Sequence, residues 1–175
     1  MATESADALP ATDCARPSLQ TCLQELARQL TQRGWMMATA ESCTGGLIAA
    51  ACTDLSGSSR WFDRGFVTYS NAAKTEMLGV PAELIAQHGA VSEPVARSMA
   101  LGAAQRAQVA VAVAVTGIAG PDGGSAEKPV GTVWLAVACN GDVQTTLLQL
   151  SGSRQQIRQH TVLHAATRLL AQVTA

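Results

Sequence analysis

The stretch Thr39–Gly46, Thr-Ala-Glu-Ser-Cys-Thr-Gly-Gly, offers two side chains able to attack a carbonyl, Ser42 and Cys43. A serine hydroxyl is almost never ionised near neutral pH and needs a base beside it. A desolvated lysine can be that base, with a tyrosine to orient or relay the proton. Lys74 and Tyr69, the single tyrosine of the chain, stand together in a later polar segment. A thiolate is intrinsically the stronger nucleophile, so Cys43 rivals Ser42, although a small buried cysteine is also a common core filler. Gly45 and Gly46 permit positive φ or close ligand approach, and the amides of Thr44, Gly45 and Gly46 could receive an oxyanion. Ser42 and Thr44 also suit the plainer task of capping the following helix.

A second concentration of chemistry is Thr116–Ser125, with four glycines between Gly117 and Gly124. A loop this rich in glycine supplies backbone to a ligand or forms an exposed turn. Thr116, Gly117 and Gly120 are its candidate contacts. Glu41 could orient Ser42 or Lys74, or bind a ribose hydroxyl. Arg64 and Arg154 are candidates for a phosphate or carboxylate, Arg154 with Ser151 and Ser153 at a helix start that suits an anion. His160 and His164 share a helix face, but no acidic or thiol partner stands near them in sequence, so no metal site is expected.

These residues need elements to hold them. Apolar residues at helical spacing predict a helix over Pro17–Arg33, ended by Gly34. A short strand at Trp35–Ala38 leads into the octet, and an Ala-rich helix follows from Leu47 to Cys52. Phe66–Tyr69 reads as a strand, with Ser70 or Asn71 capping the helix that carries Lys74. Pro81–Gln87 is a short helical piece, and Ser92 opens a longer helix with Pro94 in its first turn. Val109–Val115 is apolar on both faces, as a central strand between helices should be. Val130–Cys139 and Val143–Leu150 flank Asn140-Gly141, a strong hairpin signal, and a last helix runs to about Val173. The order predicts a three-layer α/β/α sandwich with a mixed, mainly parallel sheet and a C-terminal antiparallel hairpin. If the first strands are parallel neighbours, Ser42, Tyr69, Lys74 and the Gly117–Gly124 loop meet at one sheet edge.

Composition narrows the function classes. The 175 residues suit one domain, 17–175, behind a weakly attached tail at 1–16. Twelve basic against thirteen acidic residues and 3% aromatics give neither the charge nor the stacking surface for nucleic acid. The longest apolar run has seven residues, Val109–Val115, too short for a membrane span. Five scattered cysteines without a paired spacing favour reduced thiols and a cytoplasmic location.

The octet, Gly65–Asn71 with Lys74, His88–Pro94, Thr116–Gly124, Val130–Trp134 and Ser151-Gly-x-Arg154 together resemble the CinA C-terminal domain family, over about Leu19 to Leu170. The resemblance implies an α/β/α sandwich and a nicotinamide-nucleotide amidase, which hydrolyses nicotinamide mononucleotide to nicotinate mononucleotide and ammonia without a cofactor. It implies Ser42 as nucleophile, Lys74 as general base and Tyr69 as its helper. Glu41, Thr44, Gly45, Gly46, Asn71, Thr116, Gly117, Gly120 and Arg154 would then bind substrate. A homo-oligomer is a further implication. The rival reading of the same crevice is a catalytically silent nucleotide-binding or regulatory domain.

Overall fold

In a computed structural model of the chain, residues 18–175 are described; the expected tail at 1–16, with Cys14, lies outside them. The elements run α1 (Leu19–Arg33), β1 (Met37–Glu41), α2 (Leu47–Thr53), a 3-10 turn (Ser58–Arg60), β2 (Phe62–Val67) and α3 (Asn71–Leu78). Then come α4 (Ala82–His88), α5 (Glu93–Ala107), β3 (Val111–Gly117), β4 (Thr132–Cys139), β5 (Asp142–Gln149) and α6 (Arg154–Thr174).

The five strands form one sheet in the order β2-β1-β3-β4-β5. β1 is parallel to both β2 and β3, while β3–β4 and β4–β5 are antiparallel. Asn140 and Gly141, both at positive φ (49° and 94°), form the two-residue turn whose twist matches its flanking strands.

The alternation in β3 explains the three layers. Val111, Val113 and Val115 join the core under α1, α2 and α6, together with Met37, Val133, Leu135 and Val137. Ala112 and Ala114 turn the other way, with Ala40, Ala136 and Ala138, toward Val95, Met99 and the alanines of α5. Small side chains on that face let α5 lie close to the strands, so a protein poor in aromatics still packs densely.

Every strand shifts at its ends from the sequence expectation, β1 and β2 the most. β1 spans Met37–Glu41 instead of Trp35–Ala38, because ladder pairing to β2 and β3 continues through Glu41. β2 spans Phe62–Val67 instead of Phe66–Tyr69, pairing across Asp63 and Arg64 and leaving Thr68 and Tyr69 beyond the strand. Tertiary pairing outweighs local polarity in both. The consequence is geometric: Glu41 stands opposite both Val67 and Val115, so Ser42, Thr68 and Thr116 leave the sheet at one edge. From β1 the chain continues to β2 on one side, whereas β3 lies on the other. Such a switch point opens a crevice outside the strand ends.

Candidate active site

Ser42 is locked to this edge by its own amide, which donates to Val115 O at 3.1 Å, while Thr68 N donates to Glu41 O at 2.8 Å. Ser70 caps α3 by accepting from Ala73 N at 3.0 Å, which sets Lys74 in the first turns of that helix, facing inward. The Lys74 Nζ donates to Ser42 Oγ at 3.1 Å, to Thr68 O at 2.9 Å and to Tyr69 O at 3.5 Å. Lys74 is 1% exposed and Ser42 9%. Burial lowers the lysine pKa from its ordinary value, the charged form losing its hydration. The three acceptors also define what deprotonation does. Two carbonyls can hold the remaining N–H groups, and the lone pair then faces the serine hydroxyl.

Cys43 lies in surroundings that disfavour its thiolate. Burial pushes its thiol up to about 11, with the carboxylate of Glu41 adding to the rise and the neighbouring amides and Arg158 partly offsetting it. Almost no thiolate exists near neutral pH. A Cys43→Ala protein is therefore expected to keep turnover within roughly threefold of wild type, since the deleted atom is core filler; steady-state assay of the purified variant checks this.

Glu41 needs correction as a substrate contact. It is fully buried, and both carboxylate oxygens are occupied. Oε1 accepts from Thr39 Oγ1 and Ala49 N at 3.2 and 2.8 Å; Oε2 accepts from Thr44 Oγ1, Gly46 N and Ile48 N at 2.6, 3.0 and 3.0 Å. The carboxylate thus caps α2, whose N-cap Gly46 has no side chain to do so, and neither Ser42 nor Thr44 performs that task as an N-cap. Thr44 is likewise turned inward, its hydroxyl given to Glu41. Glu41→Gln would set an amide NH₂ against donors. It is expected to cost about 2–4 kcal/mol, seen as a melting temperature lower by roughly 4–16 °C.

The expected oxyanion donors shift as well. Gly45 N donates to Ser42 O at 3.1 Å and Gly46 N to Glu41. The Cys43 and Thr44 amides are directed at the Cys43 sulfur, a weak acceptor, and not at a carbonyl or carboxylate oxygen.

Tyr69 is the third correction. Its backbone oxygen, not its phenol, reaches Lys74. The side chain is 62% exposed, and its OH accepts from Arg154 Nη2 at 3.1 Å. Arg154 Nη1 donates to Gly120 O at 2.9 Å, so one guanidinium ties the Gly-rich loop to the tyrosine. That arginine lies in the first turn of α6, behind the Ser153–Gln156 capping box.

Thr116 is buried and donates its hydroxyl to Ala90 O at 2.9 Å, which commits it to the loop before α5 rather than to a ligand. Gly117 and Gly120 are glycine for internal fit. A Cβ at Gly117 would lie 2.6 Å from Val133 Cγ2, and one at Gly120 2.5 Å from Val130 Cγ1. Asn71 is exposed at the start of α3. Arg64 sits mid-strand in β2, opposite Ala38 and paired with Asp63, away from the strand ends.

Arg158 was missed. Its Nη2 donates to Thr44 O at 2.8 Å, and its spacing of four from Arg154 on a helix was the available signal. Thr68 was missed too: it is fully buried beside Lys74, and its hydroxyl has no hydrogen-bond partner. A cavity of about 550 Å³ opens elsewhere, between α1 and the 3-10 turn, lined by Gln24, Arg28, Arg60 and Trp61 among others. It contains no paired nucleophile and base. Among the described residues, no helix is long and apolar enough to cross a membrane, and no group of three His, Cys, Asp or Glu side chains could hold a metal ion.

Against this geometry the comparisons are specific. The sequence pattern of the CinA C-terminal domain matches residues 19–173. The nicotinamide-nucleotide amidohydrolase PncC of Enterobacter agglomerans is 60% identical over 135 residues, covering 77% of this chain and 82% of that protein. The protein of the same name from Escherichia coli K12 is 52% identical over 150 residues, 85% of this chain and 91% of that one. Among solved structures, the competence/damage inducible protein CihA from Agrobacterium tumefaciens matches with a TM-score of 0.87 and 48% identity, over 91% of this chain and 98% of that one.

Proposed function

The chain belongs to the CinA C-terminal domain family, and on that footing we propose that it is an amidohydrolase converting nicotinamide mononucleotide to nicotinate mononucleotide and ammonia. The substrate follows from the relatives named for that activity. The observation that carries the chemistry is the contact of 3.1 Å between a buried lysine amine and a serine oxygen.

In the proposed reaction neutral Lys74 takes the proton of Ser42 as Oγ attacks the carboxamide carbon. The amides of Cys43 and Thr44 receive the negative charge that forms on the carbonyl oxygen; losing one such donor typically costs about 2.7–4 kcal/mol. The Lys74 ammonium then returns its proton to the departing nitrogen. The C–N bond breaks, ammonia leaves, and a nicotinate ester remains on Ser42. Water attacks that ester with Lys74 again as base, and the C–O bond to serine breaks to give the carboxylate. The positive pyridinium ring already withdraws electrons from the carbonyl, which eases the first attack.

The exposed set of Tyr69, Arg154 and Asn71 is the proposed contact surface for the ring, ribose and phosphate. Arg154 is the phosphate candidate because its guanidinium is exposed and already placed between two loops. Ammonia release from nicotinamide mononucleotide, set beside calorimetric binding of the same ligand, tests the proposal. Release with turnover supports the enzyme; binding without release returns the domain to a silent nucleotide-binding role.

A further inference from the structure

The nucleophile loop carries two successive glycines, Gly45 and Gly46, at φ 61° and 100°. Such residues move between wells at little cost, yet the amides just before them must hold their aim through the reaction. Inside the loop, the Thr44 carbonyl accepts only a long bond of 3.4 Å from Leu47 N. The shorter bond comes from outside, from Arg158 Nη2 at 2.8 Å. The same nitrogen would stand 3.7 Å from a Cβ at Gly45, so the guanidinium lies against the soft part of the turn. Its Nε is buried without a partner, an unpaired group of the kind that foldability alone does not favour and functional sites retain. Its charge also opposes that of Glu41 at the intervening Cys43.

We infer that Arg158 is a positioning residue for the reaction. By clamping the Thr44 carbonyl it fixes the Thr44–Gly45 peptide plane and, through it, the turn that carries the Cys43 and Thr44 amides toward the developing oxyanion. Its positive charge offsets the buried carboxylate behind them. Arg154 and Arg158, one turn apart on α6, thereby divide the work: one holds the Gly-rich loop, the other the nucleophile loop. The inference rests on the serine reading above.

Arg158→Ala and Arg158→Lys, assayed for ammonia release from nicotinamide mononucleotide beside Ser42→Ala, test it. Misplacement of reacting groups costs on the order of 100-fold, so kcat of Arg158→Ala is expected to fall by about that factor. KM should stay within about threefold, the pattern of an interaction used in the transition state, and added guanidinium should return part of kcat. Arg158→Lys keeps the charge but loses the planar fork, and is expected to lose kcat about tenfold with KM unchanged; it carries the test if the alanine protein does not fold. Unchanged kcat in the folded variants, or a loss carried by KM alone, overturns the inference. Full kcat in Arg158→Ala with none in Ser42→Ala strikes this inference only, whereas turnover by Ser42→Ala strikes the serine reading beneath it.

Discussion

Ser42→Ala is expected to lose roughly 10⁴–10⁶-fold in kcat, the range seen when a serine nucleophile is removed from a cooperating set. The loss should appear with little change in KM or melting temperature. Ser42 is small, lies at the sheet edge and lends only its Oγ to Lys74, and the backbone bond that holds it to Val115 remains in the variant. Ligand binding by calorimetry should therefore survive while ammonia release disappears. Retained turnover at wild-type rate would remove the serine from the mechanism, and a collapse of binding would recast it as a contact residue.

Lys74→Met carries the second large effect, and its two consequences point in opposite directions. Activity should fall about 10²–10⁴-fold, the usual contribution of a positioned general base. Stability at neutral pH should hold or rise, because a buried amine whose charged form is penalised by burial and has no carboxylate partner is replaced by an apolar chain of similar length. The pH dependence follows from the direction of the lysine shift. The folded protein binds the Lys74 proton less tightly than the unfolded chain, whose lysine titrates near about 10.4. Between the two values the unfolded state holds more protons, so wild-type stability gains on Lys74→Met as pH rises through that window. Below the lowered value the penalty is fully present. Around the lowered value, at the lower edge of that window, wild-type kcat/KM should climb with pH as the neutral amine accumulates, and that limb should vanish in Lys74→Met. Urea melts and rate profiles across pH measure both.

The Ser42–Lys74 pair was legible because Ser42 opens one βα turn and Lys74 lies in the first turns of the helix after another, and a switch-point sheet brings such turns to one edge. Two polar segments separated by 32 positions meet on that rule alone. Side-chain direction was the harder part. Glu41 reads as part of a polar loop, but pairing extends β1 through it, and period two then turns it to the same face as Met37 and Thr39, inward onto α2. Tyr69 was expected to bring its phenol to the amine, but only its backbone oxygen reaches it; the phenol's outward path to Arg154 depends on where β2 stops, and pattern leaves strand ends loose. Gly117 and Gly120 show the same limit from another side, since glycine looks alike in sequence whether it admits a ligand or its own neighbouring strand. Arg158 could have been found from its helical spacing to Arg154, had the face of α6 toward the loops been known.

Serine attack assisted by Lys74 requires its amine to be neutral where the protein works. Lys74 and Lys128 are the two lysines of the chain, so protein labelled at lysine Cε gives two NMR signals, assigned by Lys128→Arg. Titration of the Lys74 signal in the folded protein is the most direct measurement. A midpoint below the ordinary lysine value of about 10.4, coinciding with the rising limb of kcat/KM, is the predicted result; a midpoint at or above that value would contradict Lys74 as the base for Ser42.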